Sequence, residues 1–373
     1  MNLLERGRIS GYQYFALLVI TRLVPVVLIC PTVTLVNNPA TAWVNDIIGS
    51  LIAVLLVWLI VHLGLKYPDQ TIIGYTKKLL GPIVGMLVGF SILWFYFMIA
   101  FSVLRTLGET VGTGLLEETP IQVFLISAAF LIANSARNGM EINARIAGIT
   151  MPIIIFLLLL VVASTSNLMD PGYLRPFFFG EGFGELIWPS ASVLSFYTEY
   201  LIIGMLLPYL NNPRSAMPLS MGAVLIIVLI LVMHCLGMAA VFGPLFNSAS
   251  HPAFALARMV SLGDFFERIE SLIAVVWILG AGIKVCLFFW ATAVGLAQLL
   301  DLKDFRPLAY PLGALMVVIS ILSYESLIGL MDVLTQAMIV YSISFLILIL
   351  SALYLAAIIK NYVGDGISNA DQG

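Results

Sequence analysis

A short polar patch interrupts the first long apolar stretch of the chain. Between about residues 10 and 36 the sequence is apolar except for Thr21-Arg22-Leu23-Val24-Pro25. A charged side chain is costly at hydrocarbon depth, and proline removes a backbone donor and disturbs the preceding helical turn. Irregular backbone is tolerated there only where protein or a watery cavity receives its polar groups. The patch therefore predicts a broken first membrane span, of the kind at which transporters hold their ligands.

Arg22 has more than one chemical use at this position. Its planar guanidinium can hold a ligand carboxylate through two parallel hydrogen bonds. A half-helix N-terminus beside the break would favour the same anionic group. Alternatively, Arg22 forms an internal ion pair, most plausibly with Glu199, or extends towards an aqueous vestibule.

A second polar interruption lies in the sixth apolar stretch, residues 184–209. The hydroxyls of Ser192, Ser195 and Thr198 recur at near-helical spacing, with Phe196 and Glu199 beside them. Glu199 can accept a ligand ammonium group, pair with Arg22, or carry a proton. Polar interruptions in corresponding spans of two halves indicate the binding site of an inverted-repeat transporter.

The elements that position these residues are membrane helices. Of the 373 residues, 61% are hydrophobic and 10% are charged, whereas soluble domains are about a quarter charged. Several stretches exceed the roughly 18 apolar residues of a transmembrane helix, and none alternates as barrel strands do. We therefore expect an all-α integral membrane protein with about ten spans: 10–36, 41–65, 82–104, 119–134, 142–163, 184–209, 217–242, 270–299, 307–323 and 330–359.

The basic residues orient these spans. With the N-terminus inside, eleven of the 17 Lys and Arg residues fall in inner segments and four in outer segments. Since inner loops carry the excess of positive charge, both termini are expected to be cytoplasmic. We expect one transmembrane domain, 1–360, with inverted repeats at about 9–165 and 184–360 and a disordered tail at 361–373. Residues 67–81 favour a short amphipathic helix in the interface.

Other kinds of chemistry lack their residues. The cysteines, Cys30, Cys235 and Cys286, lie in apolar segments without ligand spacing, so neither a metal nor another cofactor is expected. His62 and His234 are single and lie in different spans. The Ser/His/Asp and Cys/His requirements for nucleophilic catalysis are unmet, which argues against an enzyme. No basic run is present to bind nucleic acid.

Four blocks in order give the chain a family resemblance. They are Ile9-Ser10-Gly11-Tyr12-Gln13; Tyr67-Pro68-Asp69-Gln70-Thr71 with Leu80-Gly81-Pro82; Ala136-Arg137-Asn138-Gly139-Met140-Glu141 with Arg145 and Pro152; and Phe265 to Glu270 with Trp277, Lys284 and Phe305-Arg306-Pro307-Leu308. On these residues the chain resembles the B subunits of nutrient-type spore germination receptors. These subunits are a branch of the amino acid–polyamine–organocation (APC) transporter superfamily.

This resemblance implies a LeuT/APC-type fold of two five-span inverted repeats, with spans one and six discontinuous at a central site. It implies that the protein senses a small germinant, typically an amino acid, in a complex with A and C subunits. The location implied is the spore inner membrane or the cell membrane. By analogy within the fold, the Lys284 ammonium takes the place of a sodium ion, or it bonds carbonyls at the span-one break.

The residues and the resemblance together predict one ligand site. Its expected members are Thr21, Arg22, Leu23, Val24, Pro25, Trp94, Ser192, Ser195, Phe196, Glu199 and Lys284. The blocks favour a germinant-sensing subunit. A proton- or ion-coupled amino acid permease, or a water or ion conduit that the ligand opens, would use the same broken spans.

Overall fold

The computed structural model describes residues 4–5, 7–34, 41–114, 118–175, 184–243, 256, 269–324 and 327–370. Within these ranges the side chains of residues 24–34, 113–114, 269–276, 327–328 and 361–370 are not described. Most described residues are helical, and the one β-bridge among them is the isolated parallel pair Ile9 and Leu210. The predicted all-α class is confirmed.

The helices follow the predicted spans in chain order. We number them α1 Gly11–Thr34, α2 Ala42–Leu65, α3 Ile72–Leu80, α4 Pro82–Gly114, α5 Ile121–Arg137, α6 Met140–Ser164, α7 Gly184–Tyr197, α8 Ile203–Leu206, α9 Ala216–Phe242, α10 Ile269–Leu299, α11 Ala309–Leu322, α12 Leu327–Asp332 and α13 Met338–Ala370. Seven segments of the described chain are long and apolar enough to cross a membrane: 42–65, 82–112, 140–168, 184–209, 213–242, 277–299 and 329–360. Helices α5 and α11 are shorter, and the total of ten spans stays a prediction.

The sequence predicted a break in the first span, but α1 runs unbroken from Gly11 to Thr34. Two hydrogen bonds engage polar groups of this helix without unwinding it. The hydroxyl of Thr21 donates to the Leu17 carbonyl at 2.6 Å, and the hydroxyl of Tyr200 donates to the Leu18 carbonyl at 3.1 Å. Hydroxyls and neighbouring helices are what allow proline inside a membrane helix.

The sixth span changes its winding at the polar stretch. Helix α7 ends at Tyr197, and Thr198–Ile202 forms a tighter 3₁₀ helix. The single turn of α8 follows, and a second 3₁₀ turn, Leu207–Tyr209, ends the span. Glu199 lies within this change of helix type, and the discontinuity of the sixth span stays a prediction.

The ends of the chain show two further features. Helix α13 extends to Ala370, beyond Lys360, where a disordered tail was predicted. An established helix propagates readily, since each added residue brings one hydrogen bond. At the other end, Ile9 donates its N–H to the Tyr209 carbonyl at 2.9 Å and accepts from the Asn211 N–H at 3.0 Å. Arg8 Nη1 donates to the Pro208 carbonyl at 3.1 Å, so the N-terminal segment is fastened to the end of the sixth span.

The predicted interfacial helix is α3. Thr71 caps its start by accepting the Gly74 N–H, and Gly81 ends it at a φ of 81°, which suits glycine. Ile72, Ile73 and Tyr75 are buried on one face, while Lys77 and Lys78 occupy the last turn. The helix is amphipathic, as its sequence pattern predicts.

The first of the two predicted long outer connections contains two 3₁₀ turns, Ser166–Leu168 and Pro171–Leu174. Most of the second loop, 243–269, lies outside the described residues.

Candidate functional site

A small buried cavity lies beside the sixth span. It is lined by α4, by α7 and the 3₁₀ helix that follows it, by α10, by the turn that joins α12 to α13, and by the start of α13. Its volume is about 50 Å³, and one water needs roughly 10–15 Å³. Its walls are Phe95, Ile99, Ser102, Val103, Thr106, Ser195, Phe196, Thr198, Glu199, Trp277, Ala281, Lys284, Leu334, Met338 and Ser342. The cavity suits a small molecule.

Two opposite charges meet at the cavity wall. Lys284 Nζ lies 2.7 Å from each carboxylate oxygen of Glu199. Its hydrogen bond is to Oε1, while Oε2 has no hydrogen bond of good geometry within the described residues. The exposed fraction is 1% for Lys284 and 8% for Glu199. Desolvating two charges opposes such a pair, so it is kept where mutual attraction and further hydrogen bonds compensate.

Two buried donors at the wall lack partners. Among the described residues, Trp277 Nε1 and Ser342 Oγ make no hydrogen bond. Nearly all buried polar groups in proteins are paired, so an exception at a cavity indicates a group available to an occupant. The other hydroxyls are engaged: Ser195 donates to the Ser192 carbonyl at 2.7 Å, and Thr106 donates to the Ser102 carbonyl at 2.9 Å.

The remaining wall is apolar and includes an irregular helical turn. Phe95, Ile99 and Phe196 face the cavity together with Leu334 and Met338. Leu334 belongs to a π-helical turn, Val333–Ala337, which joins α12 to α13. Such turns are rare and frequently lie at functional sites. The cavity thus combines one charged end with an apolar wall.

Arg22 lies next to this cavity without lining it. Its Nη2 donates to the Val193 carbonyl at 2.9 Å, and its guanidinium carbon lies 4.3 Å from the Tyr197 ring centre and 5.2 Å from that of Phe196. Phe196 therefore contacts both Arg22 and the cavity. Arg22 Nε and Nη1 have no partner among the described residues. The pairing considered for Arg22 and Glu199 is not formed, because Lys284 occupies the Glu199 carboxylate.

Asp46 is a further polar residue of this region and is not among the predicted site residues. The structure buries it in α2, with 2% of its surface exposed. Its carboxylate accepts a hydrogen bond from Cys235 and lies within electrostatic range of Arg22. Burial follows from its place five residues into α2, against α7 and α9.

The other predicted site residues are dispersed. Ser195, Phe196, Glu199 and Lys284 meet at the cavity, whereas Thr21, Leu23 and Ser192 are buried beside it. Trp94 is 43% exposed and is absent from the cavity wall, with its ring 6.3 Å from that of Phe101. The side chains of Val24 and Pro25 lie outside the described residues.

Sequence reasoning missed the α4 wall. Ser102 and Thr106 share one face of that helix with Phe95 and Ile99. Two hydroxyls four residues apart in an apolar helix were the available signal.

The helices are arranged as in solved membrane transporters. The crystal structure of MhsT in complex with L-phenylalanine superposes with a TM-score of 0.62 and 13% sequence identity. The match covers 92% of this chain and 89% of the MhsT chain. The crystal structure of the Eremococcus coleocola manganese transporter superposes with a TM-score of 0.60 and 14% sequence identity. The match covers 91% of this chain and 78% of the transporter chain. The fold is the LeuT/APC type, as predicted.

Within this class, the chain belongs to the spore germination protein family, whose model matches residues 8–328. Spore germination protein KB of Bacillus subtilis (strain 168) is 26% identical over 325 residues, 85% of this chain and 86% of the relative. YndE of the same organism is 25% identical over 291 residues, 77% and 78% of the two chains. Spore germination protein A2 is 25% identical over 269 residues, 71% and 73% of the two chains. The resemblance stated from the sequence is confirmed.

Proposed function

We propose that this protein is the germinant-sensing membrane subunit of a spore germination receptor. It binds a small zwitterionic nutrient of the amino acid class in the cavity beside Glu199 and Lys284. It then signals through A and C partner subunits. The observation that carries the proposal is the buried ion pair, which lines a small cavity and leaves one carboxylate oxygen without a hydrogen bond.

A zwitterion suits this site because its charges are complementary to those of the wall. The ligand's ammonium group would bond Glu199 Oε2. Its carboxylate would accept hydrogen bonds from Lys284, Trp277 and Ser342. The ligand is neutral overall, so its entry adds no net charge to a low-dielectric interior, where an unpaired ion is heavily penalised. The Phe95 and Ile99 side of the cavity would hold a small apolar side chain.

The signal would pass through the sixth span. Phe196 lines the cavity and also contacts Arg22 of α1, so a ligand that displaces this ring acts on the contact between α7 and α1. In this proposal Ser195, Phe196, Glu199 and Lys284 contact the ligand, whereas Arg22 acts through Phe196. The difference in ligand affinity between the two conformations sets the largest possible signal.

A direct binding measurement tests the ligand site. The purified chain is titrated with each common amino acid, and we expect saturable binding of a small subset. Glu199→Gln removes one charge from the pair and should weaken that binding by about 10- to 100-fold, because a hydrogen bond to a charged group contributes roughly 1.5–3 kcal/mol. Glu185→Gln, at an exposed position at the start of α7, is the matched control and should bind as wild type does. Equal affinity in wild type and Glu199→Gln would remove Glu199 from the site.

An amino acid permease is the second candidate, and the transporter-type fold supports it. Uptake of the bound amino acid into proteoliposomes by this chain alone would favour the permease. Binding without uptake, together with a germination response that requires the A and C subunits, would favour the receptor.

A further inference from the structure

An apolar groove lies on the outside of the bundle, between α5 and α11. It encloses about 360 Å³ and is lined by Ile126, Ala129, Phe130, Ala133, Tyr310, Gly313, Ala314 and Val317. The rings of Phe130 and Tyr310 stack across it, with centres 5.9 Å apart and planes 15° from parallel. The helices approach closely at its floor, where a Cβ on Gly313 would lie 3.3 Å from that of Ala133.

Both helices carry an arginine past the same end of this groove. On α5, Phe130, Ala133 and Arg137 follow one another at three and four residues, which places them on one helix face. Arg306, in the 3₁₀ turn before α11, precedes Tyr310 and Gly313 at the reverse spacing of four and three residues. Because Arg306 is hydrogen-bonded to the Arg137 carbonyl, the two residues lie together at this end of the groove.

These arginines form no ion pair with a carboxylate in the described part of the chain. The Arg137 guanidinium carbon lies 4.7 Å from the Tyr310 ring centre, and Arg306 Nε donates to the Arg137 carbonyl at 3.2 Å. Asp304 accepts the Arg306 backbone N–H at 3.1 Å, and no carboxylate lies within ion-pair distance of either guanidinium among the described residues. Glu5 bonds Met140 and Trp290 and lies within electrostatic range of Arg306. Two guanidinium groups without an ion-pair partner in the described residues therefore lie at this end of the groove.

We propose that the groove binds one anionic phospholipid. The phosphate contacts Arg137 and Arg306, and the upper part of an acyl chain lies along Phe130, Tyr310 and Gly313. Basic pockets between membrane helices recognise anionic headgroups, and arginine suits phosphate geometry. The lining of the groove extends over about seven residues of each helix, which is only about 10 Å, whereas the hydrocarbon layer is roughly 30 Å thick. The groove thus matches the headgroup end of one lipid better than a partner's membrane helix. This proposal is independent of the germinant cavity.

Native mass spectrometry of the purified full chain tests the proposal, with phosphatidylglycerol and phosphatidylcholine of the same acyl chains as probes. Wild type should retain phosphatidylglycerol preferentially. Arg137→Gln combined with Arg306→Gln should reduce that preference by about tenfold or more, since each basic residue near an anionic surface contributes roughly 1 kcal/mol. Arg145→Gln, an exposed arginine paired with Glu141 on α6, is the charge control and should retain the preference.

A second variant tests the groove without altering charge. Ala314→Phe fills the groove from an exposed position and should reduce retention of both lipids, whereas Val318→Phe, one turn further along the exposed face of α11, should not. Melting temperatures of the variants show whether each still folds. Equal retention of the two lipids by wild type overturns the proposal. So does a folded Ala314→Phe variant that keeps its lipids but loses a partner subunit, since the groove would then hold a protein helix.

Discussion

The two opposite charges at the cavity wall, Glu199 and Lys284, depend on each other for their burial. Glu199 and Lys284 lie on different spans, and their contact joins the sixth span to α10 within the protein interior. A buried pair contributes little net stability compared with apolar residues, but the loss of one partner leaves an uncompensated charge. The pair therefore adds little net stability, although each charge depends on the other.

This asymmetry predicts a strongly non-additive pair of substitutions. Lys284→Met should lower the free energy of unfolding by about 3–5 kcal/mol, because Glu199 then lies buried without its partner. Adding Glu199→Gln to that variant should restore a large part of the loss. A double-mutant cycle in detergent, measured by chemical unfolding, gives the coupling energy. If the two substitutions have additive effects, the contact does not carry this energy.

A second residue-scale prediction concerns Glu5, which precedes α1. Its Oε1 accepts the Met140 N–H and its Oε2 accepts the Trp290 indole N–H, each at 2.8 Å. Burial raises the pKa of this carboxyl group above its ordinary 4.5, against the opposing effects of Trp290, Met140 and Arg306. The folded state therefore holds the proton more tightly than the unfolded state does.

The pH dependence follows from that difference. The stability contribution of Glu5 is fully present below about pH 4.5 and is lost as the pH rises through the raised folded pKa. Glu5→Gln cannot titrate, so wild type should lose unfolding free energy relative to Glu5→Gln as the pH increases from 4.5 towards neutrality. Unfolding curves at several pH values measure this. Parallel pH profiles of the two proteins would contradict the prediction, and the exposed Glu185→Gln variant should follow wild type.

At the scale of helices, the closest approach of α2 to α7 depends on Gly49. A Cβ at this position would lie 2.7 Å from both the Ser190 carbonyl oxygen and the Val193 Cβ. One turn away, Ser190 donates to Asn45 Oδ1 at 3.1 Å. The glycine thus lets α2 bring Asn45 and Asp46 against the span that carries the cavity wall.

Gly49→Ala should therefore destabilise the protein, by about 1–3 kcal/mol as for other overpacked interiors. The matched control is Gly112→Ala in α4, where a Cβ meets nothing within 4 Å. That change should be neutral or stabilising by up to about 1 kcal/mol, because alanine favours a helix. Thermal unfolding of both variants is the measurement. Equal melting temperatures would show that α2 and α7 can separate without loss.

The helical elements also show which features the sequence could predict. Span positions were predictable because a bilayer requires a run of about 20 apolar residues. The unbroken course of α1 was not predictable, because the partners of its polar groups come from Tyr200 and Val193, more than 170 residues away. Lys284 rather than Arg22 meets Glu199 for a similar reason. The charges are visible in the sequence, but the rotation of each helix that decides their pairing is set by tertiary packing.

For the molecule as a whole, the orientation in the membrane remains a prediction from the basic residues. In a variant whose three cysteines are replaced, Ser166→Cys should react with a membrane-impermeant maleimide added to intact cells. Lys303→Cys should react only after the membrane is opened. Both positions are exposed in the structure and belong to opposite predicted sides. Labelling of Lys303→Cys in intact cells would reverse the assigned topology.

The fastened N-terminal segment has a consequence for biosynthesis. Its partners, Tyr209, Asn211 and Trp290, are made long after Glu5, Arg8 and Ile9 leave the ribosome. A chain that is made from its N-terminus inserts most of its helices before this segment has anything to bind. Docking of Glu5, Arg8 and Ile9 is therefore a late step of assembly. It reports that the eighth predicted span is in place, and a bulky tag fused close to Glu5 should interfere with maturation rather than with membrane insertion.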